Sequence, residues 1–202
     1  MNIFSIDIFK SNKVKITTDK GIAFVLYKGD LVKYGLSVDK DNSKELEFII
    51  DELLPKRALS RALKIVSERD MTERMLSEKL NADCYPEDII NSVIDKLKKE
   101  RLINDERFIR GFIESKSAKK SKRDIMIALS SKVWDMNLCE RLYDELKADD
   151  CLKDESELIK ELLRKRHYDF ENSDYEAKQK EIRYLSSKGF SYDSIHSALR
   201  DE

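Results

Sequence analysis

The sequence predicts a mainly α-helical fold, in which a tandem array of three three-helix repeats, elongated and curved, follows a small N-terminal β-hairpin and helix. Its composition supports this prediction, because only 5 glycines and 2 prolines interrupt 202 residues, of which 39% are charged. Apolar residues also recur at helical spacing from residue 56 onward. In addition, an aromatic residue precedes an amphipathic helix three times, at Tyr85, Trp134 and Phe190.

The N-terminal extension, residues 1–55, differs in pattern from the rest of the chain. Three short runs in it are apolar or alternating, as strands are, and they lie at residues 3–9, 14–17 and 23–27. Between the last two runs, Thr18–Gly21 is a turn sequence whose glycine can adopt a positive φ. We therefore predict a hairpin with one further strand.

Two helices are predicted to complete this extension. A short helix covers residues 30–34 and ends at Gly35, and a second covers residues 44–54 after a polar break at 39–43. Pro55 is predicted to end the second helix, because proline has no N–H group to donate within a helix.

The helical body is predicted to consist of repeats at residues 56–100, 101–148 and 149–202. Each is close to the length at which a period indicates a repeat array. The first two aromatic markers are 49 positions apart and the last two 56, so we place an insertion at residues 167–173. Each marker is predicted to pack on the helix that follows it. At an offset of 49 toward the first repeat and 50 toward the third, Phe108 and Phe112 correspond to leucines, which predicts that both face the core.

Helix starts are indicated by capping residues, whose side-chain oxygens accept bonds from exposed backbone N–H groups. The predicted caps are Thr72, Ser121, Asp135 and Ser191.

No set of residues in the sequence predicts catalysis. The two histidines, His167 and His196, lack metal-ligand spacing to Cys, Asp or Glu, and neither GxxxxGK(S/T) nor GxGxxG occurs. Acidic pairs such as Asp105-Glu106 are better explained as helix starts or solvated surface. We therefore expect a protein that is not an enzyme and that needs no metal or cofactor.

The cellular compartment is predicted from the cysteines and the N-terminus. Cys84, Cys139 and Cys151 form no CxxC pair, which favours reduced, buried thiols. No signal peptide and no membrane-spanning run is recognisable. We therefore expect a cytoplasmic protein that does not bind membranes.

Local clusters of cations are the strongest functional signal, because a net charge of −1 excludes general attraction to nucleic acid. The run 115–123 contains no acid and is predicted to be a loop suited to phosphate contact, although a solvated loop is an equally good interpretation. Cations on the first helix of each repeat are predicted to form a stripe. The candidate nucleic-acid or recombinase contacts are Lys116, Lys119, Lys120, Lys122, Arg123, Arg107, Arg110, Arg57, Arg61, Lys64, Lys160, Arg164, Lys165 and Arg166.

Several of these segments resemble the RecX family, the regulators of the bacterial recombinase RecA, and the resemblance extends over residues 14–200. Its most specific part is Leu102–Ile113, which is similar to the family's two aliphatic residues, acidic helix start and spaced aromatics. Arg61–Leu63 and the closing run Lys188–Asp193 also match. The chain departs from the family pattern at Lys119–Ser121, where a glycine is common.

The resemblance implies an all-helical body of three three-helix repeats and a regulatory function without catalysis. The protein would bind RecA and its filament on single-stranded DNA, lie in the filament groove, block ATP hydrolysis and strand exchange, and promote disassembly. We expect it to act as a monomer.

Two other functions remain open. The first is a stand-alone DNA-binding module that inserts a helix into a groove, although the third helices carry Glu, Asp and Asn as often as Lys. The second is a protein–protein adaptor, whose binding would not depend on DNA.

Overall fold

A computed structural model of the chain describes residues 1–38, 40–171 and 173–200. Within these ranges the protein is mainly helical, with a small three-stranded sheet near the N-terminus, as the sequence predicts. The chain divides into two compact units, of which the first ends at Asn104 and the second begins at Asp105. Asp39 and Asn172, which fall in the two predicted polar segments, lie outside the described residues.

The N-terminal sheet is an antiparallel meander of β1 (Ile3–Lys10), β2 (Lys13–Thr18) and β3 (Ala23–Tyr27). Gly21 has a φ of +78° in the turn between β2 and β3, so the predicted turn glycine is confirmed. Residues of β2 alternate between buried and half-buried, and the buried set faces the helices of the same unit.

The helix predicted to end at Gly35 is also confirmed. It is α1 (Lys28–Tyr34), and Gly35 follows it with a φ of +60°, a conformation that costs glycine little. The carboxylate of Asp30 accepts a hydrogen bond from the N–H of Tyr27 at 2.9 Å, which stabilises the start of α1.

The prediction that Pro55 ends a helix is wrong. α2 (Ser43–Phe48) continues through a π-helical turn, Ile49–Leu53, directly into α3 (Leu54–Glu68). In the π turn the N–H of Leu54 donates to the carbonyl of Ile49, five residues back. The wider turn lies directly before Pro55, which has no N–H group to donate to the carbonyl four residues back.

One continuous core occupies the first unit. Ile16, Phe24 and Leu26 of the sheet belong to the same buried cluster as Ala58 and Ala62 of α3. The cluster extends to α4 (Glu73–Ala82) and α5 (Glu87–Lys99) through fully buried leucines such as Leu80 and Leu97. The N-terminal sheet is therefore packed on the first three-helix group rather than standing apart from it.

The second unit contains two further helical groups. The helices are α6 (Asp105–Ser117), α7 (Lys122–Ser130), α8 (Met136–Ala148), α9 (Glu155–Lys165), α10 (Tyr175–Ser187) and α11 (Tyr192–Arg200). Each group has its own buried cluster, one centred on Ile109 and Leu142 and the other on Leu163 and Ile195.

The four predicted helix caps are confirmed. In each case the side-chain oxygen accepts a hydrogen bond from a backbone N–H group. The distances are 3.2 Å for Thr72, 3.3 Å for Ser121, 3.0 Å for Asp135 and 3.0 Å for Ser191. The packing predicted for the aromatic markers is confirmed for Phe190, which is 5% exposed, but it is wrong for Trp134, which is 56% exposed.

The expectation that Phe108 and Phe112 fill the core needs correction. Both rings are half-buried at its edge and stack on each other, with centroids 6.0 Å apart. Ile109 and Ile113, one position further along, are fully buried. Ala58 and Ala62 of α3 are also fully buried, and they lie 51 positions before these two isoleucines (109 − 58 and 113 − 62), so the offset of 49 does not hold for the first helices.

Candidate nucleic-acid interface

The predicted basic loop is not a single loop in the structure. Lys116 lies in the last turn of α6, and Lys122 and Arg123 form the first turn of α7, so only residues 118–121 connect the two helices. The N–H groups of Lys119 and Lys120 donate to the carbonyl of Lys116 at 2.9 and 3.0 Å, which closes α6. Lys116, Lys122 and Arg123 are consequently held by two helix ends, and Lys119 and Lys120 lie in the short connection between them.

Four cations of this segment point to solvent, and we call them the basic turn: Lys116, Lys119, Lys120 and Arg123. All four are exposed, and none pairs with a carboxylate in the described part of the chain. The ammonium of Lys116 lies 5.8 Å from the centroid of the Phe112 ring. The negative C-terminal end of the α6 dipole stabilises the positive charge of Lys116. Arg123 lies at the N-terminal end of α7, where the helix dipole is positive and destabilises a cation. A bound anion would relieve that repulsion.

Lys122 has a different environment from the basic turn. Its ammonium pairs with Glu140 at 3.0 Å and Asp144 at 2.8 Å, and lies 4.9 Å from the centroid of the Tyr143 ring. Burial opposes the charge, but the hydrogen bonds to Asp144 and Glu140 outweigh it and raise the pKa of Lys122. Lys122 therefore joins α7 to α8 and is less available to a ligand.

The basic turn is anchored to the third helical group. The hydroxyl of Ser121 donates to the carbonyl of Lys188 at 2.8 Å. The carboxylate of Glu155 accepts one bond from the N–H of Lys122 and another from the hydroxyl of Ser194, each at 3.0 Å. Sequence reasoning missed these partners, because they lie 67 and 33 positions from the residues they hold.

Gly189 completes this anchor. Its φ is +82°, and a side-chain carbon placed on it would lie 2.7 Å from the Ser121 hydroxyl and 3.3 Å from the Cβ of Arg123. The absence of a side chain at position 189 thus allows the loop before α11 to approach the start of α7. The run Lys188–Asp193 was recognised in the sequence as a family feature, but not as the support of the basic turn.

A cavity of about 610 Å³ opens beside this anchor. It is lined by Arg123 and Lys122, by the apolar side chains of Met126 and Phe190, and by acids of α8 such as Asp144. Its walls carry both signs of charge, so it does not favour an anion as clearly as the basic turn does.

Arg110 and Arg166 serve intramolecular ion pairs. Arg110 bonds Glu145 of α8 at 2.5 Å and also reaches Glu106, while Arg166 bonds both oxygens of the buried Glu181 at 2.7 and 3.0 Å. The other predicted cations of α6 and α9 are exposed, apart from one half-buried lysine, and they are Arg107, Lys160, Arg164 and Lys165.

Two of the three predicted cations on α3 are also paired. Arg57 forms a two-bond contact with the buried Asp30 at 2.7 and 2.9 Å, and Arg61 bonds Asp83 at 2.8 Å. Lys64 is exposed. The stripe of free cations expected on the first helices is therefore reduced, since several members hold neighbouring elements together.

The described residues contain neither a cluster of metal ligands nor a helix that could span a membrane. Across residues 1–38, 40–171 and 173–200, no three His, Cys, Asp or Glu side chains are grouped to hold a metal ion. No helix in the described part of the chain has the length and apolar character that crossing a bilayer requires.

Comparison with known proteins decides the family. Two family models match, one described as the first three-helix domain of RecX at residues 58–97 and the other as the third at residues 153–199. The regulatory protein RecX of Clostridioides difficile strain 630 is 30% identical over 192 residues, which cover 93% of this chain and 88% of that protein. The chain belongs to the RecX family. RecX of Clostridium perfringens strain 13 is 29% identical over 98% of this chain and 94% of its own.

Solved RecX structures share the fold. A crystal structure of regulatory protein RecX has a TM-score of 0.64 and 22% identity, and covers 100% of this chain and 99% of its own. RecX from Lactobacillus salivarius gives a TM-score of 0.62 at 25% identity, over 73% of this chain and 96% of its own. RecX proteins are named as regulatory proteins and not as enzymes, which agrees with the lack of a catalytic motif.

Proposed function

We propose that this RecX protein binds the RecA recombinase and its filament on single-stranded DNA in the cytoplasm. By doing so it inhibits ATP hydrolysis and strand exchange, and it thereby modulates recombination and DNA repair. The observation that carries the proposal is the basic turn of a RecX family chain, where four exposed cations gather at the end of α6, the start of α7 and the short connection between them. None of the four pairs with a carboxylate among the residues that the structure describes.

The charge distribution supports a composite partner made of protein and DNA. The chain has 39 basic and 40 acidic residues, so it has little general attraction for a polyanion. The basic turn offers phosphate contacts, while acids elsewhere on the surface remain free to meet cations of a protein. A regulator built in this way binds the assembled filament more strongly than either component alone.

The test replaces the four cations of the basic turn by glutamine, as Lys116→Gln, Lys119→Gln, Lys120→Gln and Arg123→Gln together. Lys122 is left unchanged because its ion pairs support α8. We expect the variant to inhibit the single-strand-dependent ATPase of RecA at least tenfold less effectively, since each phosphate contact contributes to a salt-dependent affinity. Strand exchange measured under the same conditions should recover in parallel.

A matched control removes four exposed cations elsewhere in the second unit, as Arg141→Gln, Lys147→Gln, Lys180→Gln and Arg183→Gln. It has the same net charge as the test variant, so it separates loss of the basic turn from loss of charge. If both variants inhibit RecA as well as the unaltered protein does, the basic turn is not the functional contact.

Binding assays separate the two other functions from this one. A stand-alone DNA-binding module would bind a specific duplex tightly without RecA. An adaptor would bind RecA equally well with and without single-stranded DNA.

A further inference from the structure

A second group of cations converges in the first unit, where β1 and β2 lie beside α3. Five cations line one groove of about 600 Å³, and they are Lys10, Lys13, Arg57, Arg61 and Lys64. The only carboxylate in the groove's described lining is that of Asp83. Lys10 and Lys13 belong to the sheet, and no sequence pattern connects them with a ligand.

The groove has a cationic wall of regular spacing. Arg57, Arg61 and Lys64 follow each other on one face of α3, at intervals of four and three residues. At 1.5 Å per residue this row is about 10 Å long. The phosphates of a DNA strand succeed one another every 3.4 Å or so along a helix axis, so the row spans about three of them.

The opposite wall is made by the sheet and is preorganised by an aromatic ring. Tyr27 is 45% exposed, with the ammonium of Lys13 5.2 Å and the guanidinium of Arg57 5.3 Å from its ring centroid. Such cation–π contacts fix the two charges where the walls meet. The Asp30 carboxylate holds the guanidinium of Arg57 from behind.

Three lysines of the groove have no counter-charge. Lys10, Lys13 and Lys64 form no ion pair with any residue that the structure describes. Like charges gathered in one groove repel each other, and an extended polyanion would remove that repulsion. The hydroxyls of Ser60 and Tyr85 in the same lining are further donors to phosphate oxygens.

We propose that this groove binds the phosphate backbone of single-stranded nucleic acid, with the N-terminal sheet contributing Lys10 and Lys13. The cation row on α3 is about 10 Å long, so it can follow about three successive phosphates of one strand. The three lysines and the hydroxyl donors match a chain of repeating phosphates, and the groove offers little apolar surface to a peptide. Arg57 and Arg61 bond Asp30 and Asp83 with only some of their five N–H donors, so the remaining donors can add to the phosphate contacts. The site does not depend on a recombinase, so it can be tested without one.

The test is binding of fluorescein-labelled oligothymidylate of 20 nucleotides, measured by fluorescence anisotropy at several salt concentrations without RecA. The variant carries Lys10→Gln, Lys13→Gln and Lys64→Gln. Each phosphate contact contributes about 0.7 to the slope of log affinity against log salt for single strands, so the slope should fall by about 2. At 0.1 M salt the affinity should fall about tenfold or more.

The matched control is Lys20→Gln, Lys44→Gln and Lys99→Gln, three exposed lysines of the first unit outside the groove. It should retain the affinity and the slope of the unaltered protein. Circular dichroism checks that both variants are folded, and the single change Lys64→Glu provides a second variant on the surface of α3. Unchanged oligothymidylate binding in the groove variants overturns the proposal.

A second measurement separates nucleic acid from an acidic protein partner. Polyglutamate competes poorly with oligothymidylate if the groove is built for phosphates. Competition by polyglutamate at equal charge concentration would instead assign the groove to an acidic polypeptide and overturn the proposal. Because RecA is absent from these assays, failure of the groove leaves the proposed regulation of RecA untouched.

Discussion

The backbone of Gly189 and the hydroxyl of Ser121 approach so closely that no side chain fits between them. A carbon placed on Gly189 would lie 2.7 Å from Ser121 Oγ, and the residue has a φ of +82°. The contact joins the loop before α11 to the cap of α7, and it holds the basic turn in place.

Gly189→Ala should lower the free energy of unfolding by about 2–3 kcal/mol. About 1 kcal/mol reflects the left-handed backbone, and the remainder reflects displacement of Ser121. Urea unfolding monitored by circular dichroism measures the loss. Gly111→Ala is the control, because Gly111 lies in α6 with open space around it and alanine should stabilise the helix there by about 0.5–1 kcal/mol. Equal stability of the two variants would contradict the close approach.

Ser121→Ala should lower the free energy of unfolding by about 2 kcal/mol, because it removes two hydrogen bonds at once. The Ser121 hydroxyl caps α7 by accepting from the N–H of Asp124, and it also donates to the carbonyl of Lys188 while fully buried. Asp135→Ala removes only an exposed cap and should cost about 1 kcal/mol. Urea unfolding of both variants under one set of conditions measures the two losses of stability. Equal losses would show that the hydrogen bond from Ser121 to Lys188 does not contribute to stability.

Asp30→Asn should lower the stability by about 2 kcal/mol at neutral pH. The Arg57 guanidinium, followed by the N–H of Tyr27, overcomes the effect of burial and lowers the pKa of Asp30 below its ordinary value of 3.8. A lowered folded-state pKa stabilises the protein above the unfolded pKa, and this contribution disappears as the pH falls through the folded value.

The difference in free energy of unfolding between the unaltered protein and Asp30→Asn should therefore be constant above about pH 5 and should become smaller below pH 4. Thermal unfolding at a series of pH values measures it. Glu52→Gln, which removes an exposed pair with Lys56, is the control and should change little. A difference that is independent of pH down to pH 2 would rule out the charged contact as its source.

The three cysteines should react with a thiol reagent in a fixed order. Cys151 is exposed and Cys84 is half-buried, whereas Cys139 is fully buried. Burial, with a smaller contribution from Asp135, raises the pKa of Cys139 to about 11. Only about one Cys139 side chain in a thousand would be a thiolate at pH 8.

Labelling of the native protein with Ellman's reagent at pH 8 should modify Cys151 first and Cys84 more slowly, and Cys139 only after unfolding in urea. Cys151→Ser should abolish the fast phase. Rapid labelling of Cys139 in the folded protein would contradict the packing of α8.

Local features of the fold could be predicted from the sequence, because they depend on a few neighbouring residues. Thr72 and Ser121 were recognised as caps, and Gly21 and Gly35 as positions of positive φ, from short-range rules alone. The exposure of Trp134, which precedes the cap of α8, and the half-burial of Phe112 could not be predicted, because large apolar residues occur at the edge of a core and on the surface as well as inside it.

The candidate site was less predictable than the fold, because the sequence does not reveal which cations have partners. Arg57 pairs with a carboxylate 27 positions away, and Arg110 with one 35 positions away. Neither partner is distinguishable by type in a chain with 40 acidic residues. Helix continuity through Pro55 was missed for a related reason, since a π turn has no recognised sequence signature.

The uninterrupted path from α2 through the π turn into α3 limits how the protein can be shortened. A chain started at Lys56, to obtain the helical repeats alone, would lose Ile16, Phe24 and Leu26, which share one buried cluster with Ala58 and Ala62. The apolar surface exposed by this truncation would favour aggregation during expression. A shortened chain should therefore keep the N-terminal sheet. A truncation near Asn104 falls at the boundary between the two compact units.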